Sequence, residues 1–342
     1  MQVNTEYLKK IPKAEIHIHL DGALTPALTH ELAKEQNYFP LSEKSLKEIR
    51  DLITVTSPKP ALYDVLKVFN EVYPLLKNRK ALEKVAHYLC ARAKEQNILY
   101  FETRFAPALF VATGLTMADA MDAILRGLSQ GKKDFGVDSG MIICFLREMN
   151  HKNNEKMFDI AQSYFNKGVV AVDLAGNEAA DPLSGFVDYF KEAKRIGLGL
   201  TVHAAEVPQS HDAELALKLG VHRISHAAFL SGKTDMLQEI VSKKIAIEIN
   251  LTSNLRTGAV PSYEKHPIRE FFDMGIQTVL STDDPGIFDI DLIYEYDMLA
   301  KHLGFTKEEI AKVALYGAQS LFLPDDKKSD LVERFKKELS SL

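Results

Sequence analysis

Eight times along this chain a short run of apolar, often β-branched residues gives way to a stretch whose apolar residues recur at helical spacing. The short runs lie at residues 14–20, 99–106, 140–146, 169–175, 198–204, 223–226, 245–251 and 277–282. Helical patterns at 81–95, 116–135, 154–166, 184–196, 210–219, 235–242 and 266–274 separate most of them. Strands alternating with helices pair in parallel, because each crossover helix returns the chain to the same end of the sheet. Eight such units predict an α/β fold closed into a (β/α)8 TIM barrel. No Pro/Gly/Ser-rich linker or repeated block interrupts the pattern, so residues 1–342 read as a single barrel domain. Residues 24–80 are mostly helical and too long for one crossover, and they read as a helical lid inserted over the barrel mouth after strand one. The tail from 306 to 342 reads as C-terminal helices packing outside the barrel.

That this single domain, residues 1–342, is a metal-dependent hydrolase barrel is read from where the histidines and acids fall. His17 and His19 end the first strand two residues apart, so their side chains share a face. Alone, such a pair is as consistent with half-buried histidines as with half of a metal site. His203 then ends strand five, His226 ends strand six, and Asp283 and Asp284 follow strand eight. The C-terminal ends of barrel strands are where this fold gathers its reactive groups. Imidazole and carboxylate donors suit Zn2+, and would also take Fe2+, Co2+ or Mn2+. Strand four lacks a lysine at its end that could become a bridging carbamate (Lys167 precedes it), so one metal ion per chain is expected. Glu206, three residues past His203, would reach a substrate beside the metal and act as general acid in a closed pocket. From spacing alone, His226 reads equally as a further ligand or as a base that orients water.

Composition narrows the partner. The formal net charge is −5 and the pI about 6.1, which argues against nucleic acid and anionic membrane surfaces. The first twenty residues lack a long apolar run, and a cytoplasmic protein without a membrane span is expected. Cys90 and Cys144 sit in apolar segments and read as buried free thiols. The HxE and PCxxC signature of the zinc deaminases that act on cytosine is absent.

The ordered motifs PKAEIHIHLDGAL, VDLAGNE, TVHAAE, RISH, NLTSNLRTGAV and LSTDDPG resemble the adenosine deaminase family of the amidohydrolase superfamily over residues 11–324. The resemblance implies hydrolytic deamination of a small-molecule purine nucleoside, adenosine and its 2′-deoxy form, to inosine and ammonia. It implies His17, His19, His203 and Asp283 as ligands of one Zn2+. Glu206 would protonate purine N1 while an activated water attacks C6, and His226 would orient and deprotonate that water. Gly176 N–H would meet purine N3, Asp284 would meet N7, and Asp21 would bond the ribose 5′-hydroxyl. Asp21 stands where deaminases of the free base commonly carry Glu, which favours a nucleoside over adenine. Leu62, Leu66 and Phe69, with Val65 and Tyr73, would form an apolar cover over the substrate; Val65 stands where relatives often have a larger aromatic.

Two departures point to an altered substrate preference or to tolerated change: Ala205 and Ala227 replace glycines usual in the family. The alternative reading is therefore a deaminase of adenine or another 6-aminopurine, including a modified nucleoside or nucleotide. A phosphate-bearing substrate would want clustered cations, whereas Lys59, Lys67 and Lys77 are scattered among acids. A catalytically dead binding protein would have lost a ligand or the acid, and none is lost. Glu102 and Arg104, two apart on strand two, read as structural residues that could form a buried pair near the site. His30, His87, His151, His211, His222, His266 and His302 read as surface or structural residues.

Overall fold

The computed structural model describes residues 3–342 apart from Pro60 and Thr113; Pro60, inside the stretch read as a lid, lies outside the described residues. Strands β1 (Lys13–His19), β2 (Ile98–Phe105), β3 (Asp138–Leu146) and β4 (Val169–Ala175) pair in parallel in chain order. The fifth strand, expected unbroken over 198–204, is split into Gly199–Leu200 and His203–Ala204. Bonding nevertheless runs on through the break, because Thr201 N donates to Val172 O at 3.1 Å and Ser225 N to Val202 O at 2.8 Å. With the split strand counted as β5, β6 (Arg223–His226), β7 (Ala246–Ile249) and β8 (Thr278–Leu280) complete the parallel set. A parallel bridge between Ile18 and Asp283 then joins the last strand to the first. Asp283 N donates to His17 O at 2.9 Å, and His19 N to Asp283 O at 2.8 Å. The ring is closed, and its closing bond lies in the middle of the residues read as the site.

Helix boundaries follow local chemistry. Asn78 caps Arg79–Glu95 through Ala81 N, and Thr116 with Asp119 forms a capping box on Met117–Phe135. Those two helices pack against each other over β2 and β3. Cys90 and Cys144 are buried and free. The tail divides into two parts. Lys307–Gln319 packs on β1 and β8 as a member of the outer ring of helices. Asp325–Ser340 covers the opposite end of the barrel, where Phe335 is buried with Ala14, Ile16, Tyr100, Ala246 and Val279. No helix among the described residues is long and apolar enough to cross a membrane.

The barrel interior holds charge as well as aliphatic side chains. Glu102 and Arg104, read as a pair, do not pair with each other. Arg104 bonds Asp173 at 2.8 Å and Glu248 at 2.7 Å, while Glu102 pairs with Arg223 at 2.7 Å. Arg223 also reaches Glu248 at 2.8 Å. Neighbours on one face of a strand point inward together, and here each finds its counter-charge across the barrel rather than along the strand.

Candidate active site

Four metal-type donors converge at the C-terminal ends of the strands: His17, His203, His226 and Asp283. His19 joins Asp283 and Asp284 in a second, overlapping group. Ring centroids of His17 and His203 are 4.8 Å apart, and those of His19 and His203 5.6 Å apart. His17 Nε2 and His19 Nε2 lie 3.0 and 3.3 Å from the same oxygen, Asp283 Oδ1. All four residues read as ligands are therefore together, with His226 beside them.

The groups behind the histidines decide what they offer. His17 Nδ1 is 2.8 Å from Glu248 Oε2, and His203 Nδ1 is 3.0 Å from Asp173 Oδ2. A carboxylate accepts only, so each Nδ1 carries a proton and each Nε2 a lone pair. His17 Nε2 has no hydrogen-bond partner yet faces a carboxylate oxygen at 3.0 Å. Two lone-pair donors held that close are the arrangement a divalent cation fits. Burial pulls His203 down to about 4, which keeps it neutral, as a ligand must be. Burial pushes Asp283 up, but His17 and bonds from His17 and His19 outweigh that and hold it well below its usual range. Glu248 is likewise held down against burial by Arg104 and Arg223. Ser253 Oγ donates to the other oxygen of Asp283 at 2.7 Å, fixing its plane.

Beside this cluster is a cavity of about 510 Å3. Glu206 lines it. Burial, then the charges of Asp283, Glu178 and Asp284, raise its carboxyl well above the ordinary range. Burial followed by Asp283 does the same to Asp284. Asp21 Oδ1 and Asp284 Oδ1 are buried without partners. Gly22 makes room for Asp284, since a Cβ at Gly22 would collide with that Oδ1. Gly176, at φ +95°, performs the same service for Glu148. Leu62, Val65, Leu66, Phe69 and Tyr73 all line the cavity, from a segment that breaks into Leu62–Leu66, Phe69–Val72 and Tyr73–Leu76 rather than one long helix. Among the described lining residues the one lysine or arginine is Lys67, which pairs with Asp64 at 2.9 Å.

Ala205 and Ala227 both adopt φ +55°. This is the left-handed conformation that glycine takes freely and that costs alanine about 1–2 kcal/mol. Both methyls are buried, and neither residue lines the cavity. The replacements thus strain the backbone at positions that do not line the cavity. Glu178 offsets the cost around Ala205: its carboxylate accepts from Ala205 N at 2.8 Å, Glu206 N at 2.9 Å, Val207 N at 3.1 Å and Ser210 Oγ. Sequence reading missed Glu178, as it missed Asp173 and Glu248. For Asp173 and Glu248 the available signal was an acid inside an apolar strand, in VVAVDLA and IAIEIN.

The family model described as adenosine deaminase matches residues 12–338. The chain belongs to the adenosine deaminase family. The adenosine deaminase of Streptococcus agalactiae is 31% identical over 334 residues, covering 98% of each chain. Among solved structures, the Arabidopsis N6-mAMP deaminase superposes with TM-score 0.86 at 25% identity, covering 97% of this chain and 99% of that one. Adenine deaminase from Arthrobacter aurescens gives TM-score 0.86 at 25% identity, covering 96% and 99%. This member of the family is a hydrolytic deaminase of the amidohydrolase fold, and its reaction is removal of an amino group from adenosine or a related aminopurine.

Proposed function

We propose that the substrate is adenosine, with 2′-deoxyadenosine also accepted, and that the products are inosine or 2′-deoxyinosine and ammonia. The carrying observation is that His17 Nε2 and His19 Nε2 face the same Asp283 oxygen at 3.0 and 3.3 Å, beside the buried carboxyl of Glu206, which burial and neighbouring acids raise well above its ordinary range. His17, His19, His203 and Asp283 would hold one Zn2+. That ion supplies Lewis acidity, making water nucleophilic at neutral pH. Glu206 gives its proton to purine N1 as the water oxygen bonds C6. The C6–N bond then breaks, the amino group leaving as ammonia with one proton of the added water while the other proton returns to Glu206. His226 orients that water. The backbone amide of Gly176 and the side chain of Asp284, whose carboxyl burial and the charge of Asp283 raise well above its ordinary range, bind N3 and N7. Residues 24–80 act as the lid of a single barrel domain, with Leu62, Leu66 and Phe69 against the nucleoside.

Two features favour a nucleoside over its relatives. Asp21 keeps a buried oxygen without a partner, which suits a ribose hydroxyl that a free base lacks. Lys67, the single lysine or arginine among the described residues lining the cavity, is already paired with Asp64, so the cavity offers a phosphate no cluster of cations. The test is ultraviolet absorbance of zinc-loaded protein mixed with adenosine, 2′-deoxyadenosine, adenine or AMP. Loss of the aminopurine band with the two nucleosides, abolished by a chelator, is expected. Turnover of adenine or AMP in preference to them would replace this reading with a base or nucleotide deaminase.

A further inference from the structure

Of the histidines grouped with Asp283, His226 is backed differently from the others. Behind its Nδ1 stands Asn254 Nδ2, at 3.0 Å, where His17 and His203 have carboxylates. An amide can turn end for end, so its sense must be fixed from elsewhere. It is fixed by the main chain. Ile268 N donates to His266 Nδ1 at 3.1 Å, and a backbone N–H can only donate. His266 Nδ1 therefore bears the lone pair, and the single ring proton sits on Nε2. That Nε2 lies 3.0 Å from Asn254, so the atom facing it is the amide oxygen. The amide nitrogen is thereby turned to His226, whose Nδ1 must accept. An accepting Nδ1 leaves the ring neutral with its proton on Nε2. His226 Nε2 makes no hydrogen bond within the described residues, and His226 lines the cavity.

We infer that His266 and Asn254 are positioning residues that lock His226 in the Nε2–H form, so that His226 is a hydrogen-bond donor to the reacting water and neither a metal ligand nor its base. The assignment of the acceptor as that water rests on the proposed deamination; the proton arrangement does not. Two other groups approach His226 Nδ1 from farther off, Asn250 at 3.4 Å and Glu206 Oε1 at 3.8 Å. Asn250 is better satisfied turned over, its nitrogen donating to Ile249 O at 3.2 Å and Ser281 O at 3.3 Å. Its oxygen then offers His226 only the longer contact, and the 3.0 Å bond from Asn254 prevails. The structure thus sets two tautomers within one cluster. Carboxylates behind His17 and His203 free their Nε2 lone pairs for a metal, and an amide nitrogen behind His226 removes that lone pair. His226 is in this way kept out of the ligand set despite its ring lying 5.0 Å from that of His203.

The experiment is 15N NMR of histidine-labelled, chelator-treated protein, with the His226 signal assigned by its loss in His226→Gln. Unprotonated Nδ1 and protonated Nε2 are expected, and protonated Nδ1 overturns the inference. Because this measurement uses neither metal nor substrate, it stands whatever the enzyme turns over. Asn254→Asp presents acceptors to both rings and should move the His226 proton to Nδ1, with kcat roughly 10²-fold lower and KM little changed. His266→Gln keeps a donor toward Asn254 and should retain the wild-type tautomer, whereas His266→Leu should lose it. The same His226 tautomer in all three variants would remove Asn254 and His266 from the argument.

Discussion

The two ends of one set of barrel strands treat buried charge in opposite ways. In the barrel interior, Arg104 and Arg223 meet Asp173, Glu102 and Glu248 as ion pairs, each side chain sealed from solvent. At the C-terminal end, a few ångströms along the same strands, His17 Nε2, Asp21 Oδ1 and Asp284 Oδ1 are buried with no partner. Removing such groups from water without compensation costs stability, so natural chains keep them where something else binds. The lower network is the support: through Glu248 and Asp173 it orients the histidines above it. The lower network sets charge against opposite charge, whereas the upper end turns imidazole and carboxyl groups toward a cavity.

Four changes would break or sharpen that contrast. Glu206→Gln removes the transferable proton while keeping shape, and kcat should fall by roughly 10³-fold. Bound zinc, counted by elemental analysis, should stay unchanged; near-normal turnover would remove Glu206 from the acid role. Arg104→Met leaves Asp173 and Glu248 buried without their shared cation and should cost about 3–5 kcal/mol in urea unfolding. A loss under about 1 kcal/mol would show the lower network to be no support at all. Asp21→Ala should lower kcat/KM for adenosine by roughly 10–100-fold, the worth of one charged hydrogen bond, and should leave adenine, if turned over, little affected. Equal losses on both would separate Asp21 from the sugar. The smallest effect is a gain. Ala205→Gly relieves the left-handed alanine but loosens the unfolded chain, for a net stabilisation of up to about 1 kcal/mol. A decrease in the urea midpoint would mean that the methyl packs better than the backbone is strained.

Much of this was legible because it repeats or sits at a fixed place in a repeat. The eight strands follow from hydrophobic period, and the ends of those strands carry His17, His19, His203, His226 and Asp283. The split in the fifth strand was not legible, since Thr201 and Val202 are good strand formers and continue the pattern; the bonding partners on β4 and β6 decide it. Glu102 and Arg104 misled for the same reason. Adjacency on one strand suggested a pair, while each had a better counter-charge across the ring. His266 looked like a spare histidine, and only the turn that places Ile268 N against it gives it a direction.

By itself, then, the sequence determined the periodic and the chemical: a parallel barrel, the donors gathered at one end of it, and a carboxyl three residues beyond one of those donors. The tertiary structure alone decided which atoms of those donors are free. That choice depends on what lies behind each ring, Glu248 behind His17, Asp173 behind His203 and Asn254 behind His226. Glu248 comes from 231 residues along the chain from its histidine, and Asp173 and Asn254 from about thirty each. Local pattern carries the period of a strand, but a proton's place on an imidazole is set by a neighbour that only the closed ring brings within 3 Å.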